Sequence, residues 1–461
     1  MRSIILTSVA ILALVTSGAG QYAPGRQSTA NVKVLSHLPL GGWYGTADLE
    51  MEQEISRPYA YVARWGPEGG FFGFDIIEFK DPTKAKLLYR WVIENPELHQ
   101  GHGAVTNHYF KLNGRYYDVE GFQFRPGGPD PDLGAVVVDV TGLPDTSKIR
   151  EAGRIRTPDT PGGFHNLFTY KHSDGRALLF ATVESPPTTP HGANVYDMER
   201  FLAGDTTYGL TGRIPLLEPR GGVIGGYHDI FVGYDPASHQ DRFYGGGPEV
   251  TSSGGFYVYD VTNPADPRLL TSIVGSAGQT GSHTFVPTPD GRYAIVKSGG
   301  LQPLKVFDLK PGLDGQVKTI NRAIGAWWTA DFATRNYSHE AEIRWPYVFV
   351  PSYEDGMYVV NMMDPANPYT VGFYDTYDGP HEQKMSPKYF GRVTNGGWAV
   401  DVRNADGLIV SSDMRTGFWV FKLDGFDGWN GHQWGMPNVS TAQDWDNGPD
   451  GAPKPARVSL R

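Results

Sequence analysis

The chain has 461 residues, enough for two or three average domains or one large β-domain. It contains no cysteine, which excludes disulfides, thiolate metal ligands and a thiol nucleophile. The formal net charge is −10 with no basic block, which argues against nucleic acid and anionic membrane as partners. Its 59 glycines and 35 prolines favour many short strands and turns over long helices.

The N-terminus has the features of a secretory signal. Met1 and Arg2 are followed by an apolar run over residues 4–15 and then by small residues over 17–20. A run of this length is too short to span a bilayer. We therefore predict a cleavable signal peptide over residues 1–20 and a secreted or periplasmic protein without a membrane span, with a membrane anchor as the alternative.

A short pattern recurs along the rest of the chain: an aromatic residue or valine, then Asp or a substitute, then an apolar residue. The central positions lie 48 to 64 residues apart, a period that fits four-stranded propeller blades with loop insertions. The seven copies are Phe74-Asp75-Ile76, Val138-Asp139-Val140, Tyr196-Asp197-Met198, Tyr259-Asp260-Val261, Phe307-Asp308-Leu309, Val360-Asn361-Met362 and Phe421-Lys422-Leu423.

Seven copies predict an all-β, seven-bladed β-propeller over residues 31–425. No apolar run for a last outer strand follows Lys422, whereas residues 32–38 have the character of such a strand. We expect this N-terminal strand to complete the seventh blade and so to close the ring. Two β-sandwiches are the alternative. Residues 197–203 are the one helix candidate, and residues 426–461 are expected to form an extended or partly disordered tail.

Two of the copies carry a family resemblance. Residues 256–270 (FYVYDVTNPADPRLL) and 357–368 (MYVVNMMDPANP) resemble LVIVD-repeat proteins, which are secreted or surface propellers of bacteria. The match is specific in blades 4 and 6 and degenerate in the other five. The resemblance implies the propeller fold and no particular reaction.

Five histidines occupy what looks like the same place in consecutive blades, at the start of the innermost strand. They are His108, His165, His228, His283 and His339, with Met51 and Trp398 at the matching places in blades 1 and 7. Innermost strands line the axis of a propeller, so these imidazoles are expected to converge at one channel mouth. Imidazole is a common ligand of zinc, copper and iron, so the ring predicts a divalent transition-metal site. Asp229, Glu340 and Glu52 are the candidates for orienting the rings.

A structural role for these histidines is the alternative, because duplication of the repeat alone could account for five copies. His381 lies in the loop between blades 6 and 7 and could cover the mouth as a lid. His99 and His102 lie in the corresponding loop before blade 2.

Three functional hypotheses follow. The first is a binding or interaction propeller that holds a metal and takes a small ligand or a protein at the channel mouth. The second is a metal-dependent oxidoreductase or hydrolase with ligands His165, His228, His283 and His339, and with Glu340 or Asp229 as orienting group or base. The third is a scaffold with structural histidines. No catalytic residue can be assigned from the sequence.

Overall fold

The protein is described here by a computed structural model. The structure describes residues 27–40, 45–65, 72–95, 98, 103–123, 130–183, 191–216, 226–248, 254–279, 281–298, 302–329, 338–377 and 396–449. Within these ranges, no helix is long and apolar enough to cross a membrane. The expected signal peptide over residues 1–20 lies outside them.

The described strands form seven antiparallel sheets, each built from four consecutive strand positions. We number the sheets as blades 1 to 7 in chain order. Blade 1 comprises Leu49–Met51, Tyr59–Arg64, Gly73–Glu78 and Lys86–Val92; blade 2 Ala104–Leu112, Arg115–Phe122, Leu133–Asp139 and Arg150–Arg156; blade 3 Phe164–Lys171, Ala177–Val183, His191–Asp197 and Leu210–Pro215; and blade 4 Asp229–Asp235, Gln240–Gly247, Gly255–Asp260 and Arg268–Ile273.

The remaining blades follow the same plan. Blade 5 comprises Phe285–Pro287, Tyr293–Lys297, Leu304–Asp308 and Gly325–Trp327; blade 6 Glu342–Arg344, Tyr347–Ser352, Gly356–Asn361 and Tyr369–Tyr374; and blade 7 Gly397–Val402, Ile409–Asp413, Gly417–Leu423 and the N-terminal strand Val32–Leu38. A two-residue strand, Thr319–Ile320, adds to blade 4 in parallel. The helices are short: Met198–Leu202, Lys310–Leu313, Thr146–Lys148, Gly431–Trp434 and Ser440–Ala442.

The N-terminal strand closes the ring, as the sequence predicted. Val32–Leu38 pairs antiparallel with Gly417–Leu423, so that Val32 stands opposite Leu423 and Leu38 opposite Phe418. Blade 7 is therefore built from both ends of the propeller. The seven-bladed, all-β prediction is confirmed.

The repeated aspartate has a local role at the end of the third strand. In blade 4, the Asp260 side chain accepts a hydrogen bond from the backbone N–H of Thr262, two residues further on. This side-chain turn ends the strand and directs the chain into the Pro-containing loop. The same i to i+2 bond occurs at Asp139, Asp197, Asp308 and Asn361.

The predicted copy in blade 1 was misplaced. Asp75 lies inside the third strand, where it is buried and bound by Arg64 and Arg90. Glu78 occupies the strand end and stands opposite Lys86, the first residue of the next strand. The sequence Ile77-Glu78-Phe79 is therefore the true repeat, with Glu in place of Asp.

The chain after blade 7 packs against the propeller. Trp429 donates from Nε1 to the carbonyl of Trp345, and Ser440 donates to the carbonyl of Val232. Gln443 accepts from the backbone N–H of Lys171. Trp345 lies in the first turn of blade 6, Lys171 ends the first strand of blade 3, and Val232 lies within the first strand of blade 4. Residues 426–449, which we call the tail, therefore cross one end of the central channel.

The contribution of ring closure to stability can be tested at Val32, which is only 5% exposed. Val32→Asp should lower the free energy of unfolding by about 3 kcal/mol, because it places a carboxylate in an apolar seam. Val34→Asp, on the same strand at a position 37% exposed, is the matched control and should cost less than about 1 kcal/mol. Urea unfolding measures both. Equal effects would mean that the seam contributes no specific stability.

Candidate functional site

The first strand of every blade faces the axis, and together these strands surround a cavity of about 70 Å³. That volume suits a few waters or a small ion. All seven blades contribute to its wall, and Thr441 of the tail joins them. The propeller thus brings side chains that are remote in sequence into one axial compartment.

Four of the five predicted histidines form a continuous arc across blades 3 to 6. Ring centroids are 4.0 Å apart between His165 and His228, 3.8 Å between His228 and His283, and 4.8 Å between His283 and His339. The arc ends on Trp398 of blade 7, 4.3 Å from His339. The sequence placed these four histidines and Trp398 at equivalent positions, and in the structure their rings follow one another from blade 3 to blade 7.

Each ring of the arc is held at Nδ1 by a hydrogen-bond acceptor. His165 meets Oε1 of Gln123 at 2.8 Å, and His339 meets the carbonyl of Trp398 at 3.0 Å. His228 and His283 both meet Asp229. An acceptor at Nδ1 requires the proton there, which leaves the lone pair of each neutral ring at Nε2.

Asp229 is the central group of the arc. Its Oδ1 lies 2.7 Å from Nδ1 of His228, and its Oδ2 lies 2.9 Å from Nδ1 of His283. The hydroxyl of Thr284 donates to Oδ2 at 2.7 Å and also lies 2.8 Å from Nδ1 of His283, where it can accept. Burial alone would raise the pKa of this carboxyl, but the charges and hydrogen bonds of His283 and His228 outweigh burial, so the pKa of Asp229 lies well below its ordinary value. Asp229 is therefore a carboxylate that bridges two blades.

The arc runs from a partly exposed end to a buried one. His165 is half-buried, whereas His228, His283 and His339 are buried. Burial, followed by the neighbouring His283, lowers the pKa of His339 well below its ordinary value. His339 is accordingly neutral at physiological pH and able to act as a ligand or an acceptor.

His108 does not join the arc. It is the fifth residue of its strand, where it lies 3.2 Å from Glu50 through Nδ1 and packs on Phe168. In blade 2, the position equivalent to His165 is occupied by Val105 instead. The backbone carbonyl of Val105 accepts a hydrogen bond from the backbone N–H of Asp48 in blade 1. Burial lowers the pKa of His108, although nearby carboxylates oppose the shift. His108 thus belongs to the wall of the cavity.

Glu52 does not orient a histidine either. Its carboxylate is bound by Arg57 and accepts from the hydroxyl of Tyr61. The sequence analysis aligned blades 1 and 6 at the start of their second strands. Because the first hairpin loop of blade 1 is longer than that of blade 6, this alignment misplaced the residues of the first strand. Asp48 is the counterpart of Glu340, because Asp48-Leu49-Glu50 has the spacing of Glu340-Ala341-Glu342 and both segments line the cavity. The two carboxyl groups also contact each other.

Glu340 lies next to His339 but does not orient it. The two side chains are 3.9 Å apart, and the Trp398 carbonyl holds the ring. Glu340 instead shares a hydrogen bond with Asp48. Burial, then the charges of Asp48 and Asp229, raise the pKa of Glu340 well above its ordinary value. The protonated form of Glu340 is therefore favoured over the carboxylate.

Below the arc, the cavity wall is acidic. The carboxyl groups that line it are Asp48, Glu50, Asp229, Glu340, Glu342 and Asp401. Arg344 contacts two of them, Glu342 at 2.7 Å and Asp401 at 3.7 Å. Burial, then Asp401, raise the pKa of Glu50 well above its usual range, and burial, despite Arg344, raises the pKa of Glu342 to about 7.

Sequence reasoning missed Asp48, Glu50, Glu342 and Asp401. The first two could have been found from a parallel in the sequence, since Asp48-Leu49-Glu50 matches Glu340-Ala341-Glu342 in spacing and chemistry. Asp401 carries no such signal. His381, the proposed lid, and His99 and His102 lie outside the described residues.

A geometric cluster within the described residues marks the same place as a metal candidate. Ligand atoms of His165, His228 and Asp229 all lie within 4.8 Å of one another. Three donors at that separation come within the reach of one ion after small side-chain rotations. Asp229 already engages two imidazoles, so its better role is to orient them.

Comparison with known proteins supports the fold and identifies no family. No family model matches the chain, and no curated protein does either. Among solved structures, the chain is similar to one described as the structure of the Dos1 propeller, with a TM-score of 0.51 and 10% sequence identity over 85% of this chain and 96% of that chain. The chain is a seven-bladed β-propeller. The resemblance to LVIVD-repeat proteins stays a prediction.

The raised pKa of Glu340 predicts a pH effect on stability. The folded state keeps a proton that the unfolded state releases above its ordinary pKa of 4.5, so stability is lost as the pH rises from there toward the folded pKa. Glu340→Gln removes this proton and should flatten the fall by up to about 1.4 kcal/mol per pH unit. Urea unfolding between pH 5 and 8 measures the slope.

The exposed Glu151 supplies the control for that experiment. Glu151→Gln should leave the slope of the wild-type curve unchanged. If Glu340→Gln follows the wild-type slope as well, Glu340 is ionised in the folded chain and our description of the acidic wall is wrong.

Proposed function

We propose that this propeller is a binding protein whose axial histidine arc holds a divalent transition metal. One observation carries the proposal: all four imidazoles of the arc, His165, His228, His283 and His339, are engaged at Nδ1 by acceptors. Histidines that ligate metals almost always donate their other ring N–H in this way, to a carboxylate or a backbone carbonyl.

The donor set fits zinc, copper or iron better than a hard cation. The arc supplies imidazole nitrogens, and Asp229 supplies the carboxylate that orients two of them. Imidazole suits zinc, copper and iron, whereas calcium and magnesium take oxygen ligands. His165 and His228, the two histidines of the candidate cluster, would leave open coordination positions for water or a small ligand. The ionised carboxylate of Asp229 offers a compensating negative charge for the ion.

The first test is direct binding of Zn²⁺ and Co²⁺ to protein stripped with a chelator. We expect about one ion per chain by calorimetry, because one arc is present, and a Co²⁺ visible spectrum typical of nitrogen ligation. His228→Ala and His165→Ala should each weaken binding by ~10-fold or more, as expected for loss of a ligand.

His432 is the control for these variants, because it is exposed and lies in the tail. His432→Ala should bind Zn²⁺ as the wild type does. Variants that melt at lower temperature without changing Zn²⁺ binding would support the scaffold hypothesis and reject the metal site.

Removing the bridge tests the orienting role of Asp229 separately. Asp229→Asn keeps the shape but cannot accept equally from both Nδ1 groups, because one end of an amide is a donor. We expect Zn²⁺ affinity to fall about 10- to 100-fold, the usual effect of losing a group that orients a ligating histidine. Calorimetry on Asp229→Asn and on Thr284→Val, which removes the hydroxyl bound to Asp229, checks this. Unchanged affinity in Asp229→Asn would remove Asp229 from the site.

Location and family belong to the same proposal. We propose export of the chain through its N-terminal signal and membership of the LVIVD-repeat class, on the motifs of blades 4 and 6. The partner would be a small ligand or a protein that approaches the histidine mouth. Metal-dependent turnover that disappears in His228→Ala at unchanged melting temperature would extend the proposal to an enzyme.

A further inference from the structure

A second polar site lies away from the axis, on one face of blade 2. Asn107 on the first strand stands directly opposite Glu120 on the second, and Asp118 lies two residues before Glu120. The three side chains therefore share one face of the sheet. All three residues are 0% exposed.

The only hydrogen bond among these three side chains is the one between Asn107 and Glu120. Both oxygens of Asp118 are buried with no partner among the described residues, and none of the three side chains bonds a group outside the cluster there. Burying one such group costs free energy, and burying two carboxylates side by side costs much more. The neutral Asn107 shows that the cluster is not simply an excess of acid. Its amide oxygen is a third potential ligand on the same face of the sheet.

The residues around Asp118 and Glu120 add further negative charge. The charged groups that act most strongly on Asp118 and Glu120 are other carboxyls, namely Asp48, Glu50, Glu52 and Asp75. Arg64, the nearby cation of blade 1, lies 3.3 Å from Asp75 and donates to the carbonyl of Leu40. Burial, then these neighbours, raise the pKa values of both carboxyl groups well above normal.

We propose that Asn107, Asp118 and Glu120 hold a hard divalent cation of the Ca²⁺ class in the seam between blades 1 and 2. Two carboxylates and an amide carbonyl offer up to five oxygens, and calcium takes six to eight oxygen ligands with water completing the set. The +2 charge neutralises the two carboxylates. All the donors are oxygen, whereas those of the axial arc are nitrogen, so the two sites select different metals.

Because the site is buried, the cation enters as the chain folds, and refolding is the suitable experiment. Protein is refolded from urea with CaCl₂ or with EGTA and passed over a desalting column. We expect about one calcium per chain by elemental analysis after refolding in CaCl₂, and a melting temperature several degrees higher than after EGTA. Asp118→Asn and Glu120→Gln should lose both the bound calcium and the shift.

Asn107→Asp decides the matter even if the other variants fail to fold. With a cation present, the extra carboxylate is a further ligand, so calcium retention should match or exceed that of the wild type. Without a cation it adds a third buried charge, so the variant should melt lower in both buffers. That result, together with no retained calcium in the wild type, would overturn the proposal and indicate protonated or hydrated carboxyls.

The two metal proposals fail independently. His228→Ala should keep its calcium and its calcium-dependent melting shift, because the arc is not part of the seam. Glu120→Gln should bind Zn²⁺ with wild-type affinity. Calcium that disappears in His228→Ala would mean that the ion binds on the axis and would reject the seam as its site.

Discussion

The whole arrangement depends on pairing between the two ends of the propeller. Val32–Leu38 and Gly417–Leu423 are almost 400 residues apart in sequence, yet they are adjacent strands of blade 7. This pairing removes the free sheet edge and makes the ring continuous. A continuous ring is what holds seven axial strands at one radius. The contacts from His165 through to Trp398 exist only because each blade is supported by neighbours on both sides.

The second constraint is charge. An axis lined by six carboxyl groups cannot keep all of them ionised in a poorly solvated space. The negative charge is removed or compensated in a different way at each of these carboxyl groups. Asp229 stays ionised because two imidazoles face it, Glu340 takes up a proton shared with Asp48, and Glu342 is balanced by Arg344. Such divergent pKa values within one compartment are characteristic of functional sites.

Much of the fold and part of the site could be predicted from the sequence. The repeat gave the blade count because the side-chain turn at Asp260 and its counterparts needs a short acceptor at a fixed place. The arc from His165 to His339 followed from strand order alone. The prediction for blade 1 was wrong because Glu78 replaces the aspartate of the repeat there. The longer first hairpin of this blade also shifts the alignment by four positions, so that Glu52 was selected in place of Asp48. Asp229 was among the orienting groups expected from the sequence, but the other partners at Nδ1 could not be foreseen, since Gln123 and the Trp398 carbonyl come from neighbouring strands and blades.

The tail has a consequence for the proton content of the channel. Thr441 donates to Glu342 and forms part of the cavity wall, while Ser440 and Gln443 fasten the same segment to blades 4 and 3. Seated in this way, the segment acts on the Glu342 carboxyl in two opposing ways: it adds to the burial that raises the pKa of Glu342 to about 7, and the hydrogen bond from Thr441 favours the ionised form. A short stretch of polypeptide with little regular structure thereby helps to set the charge of one carboxyl group at the centre of the propeller.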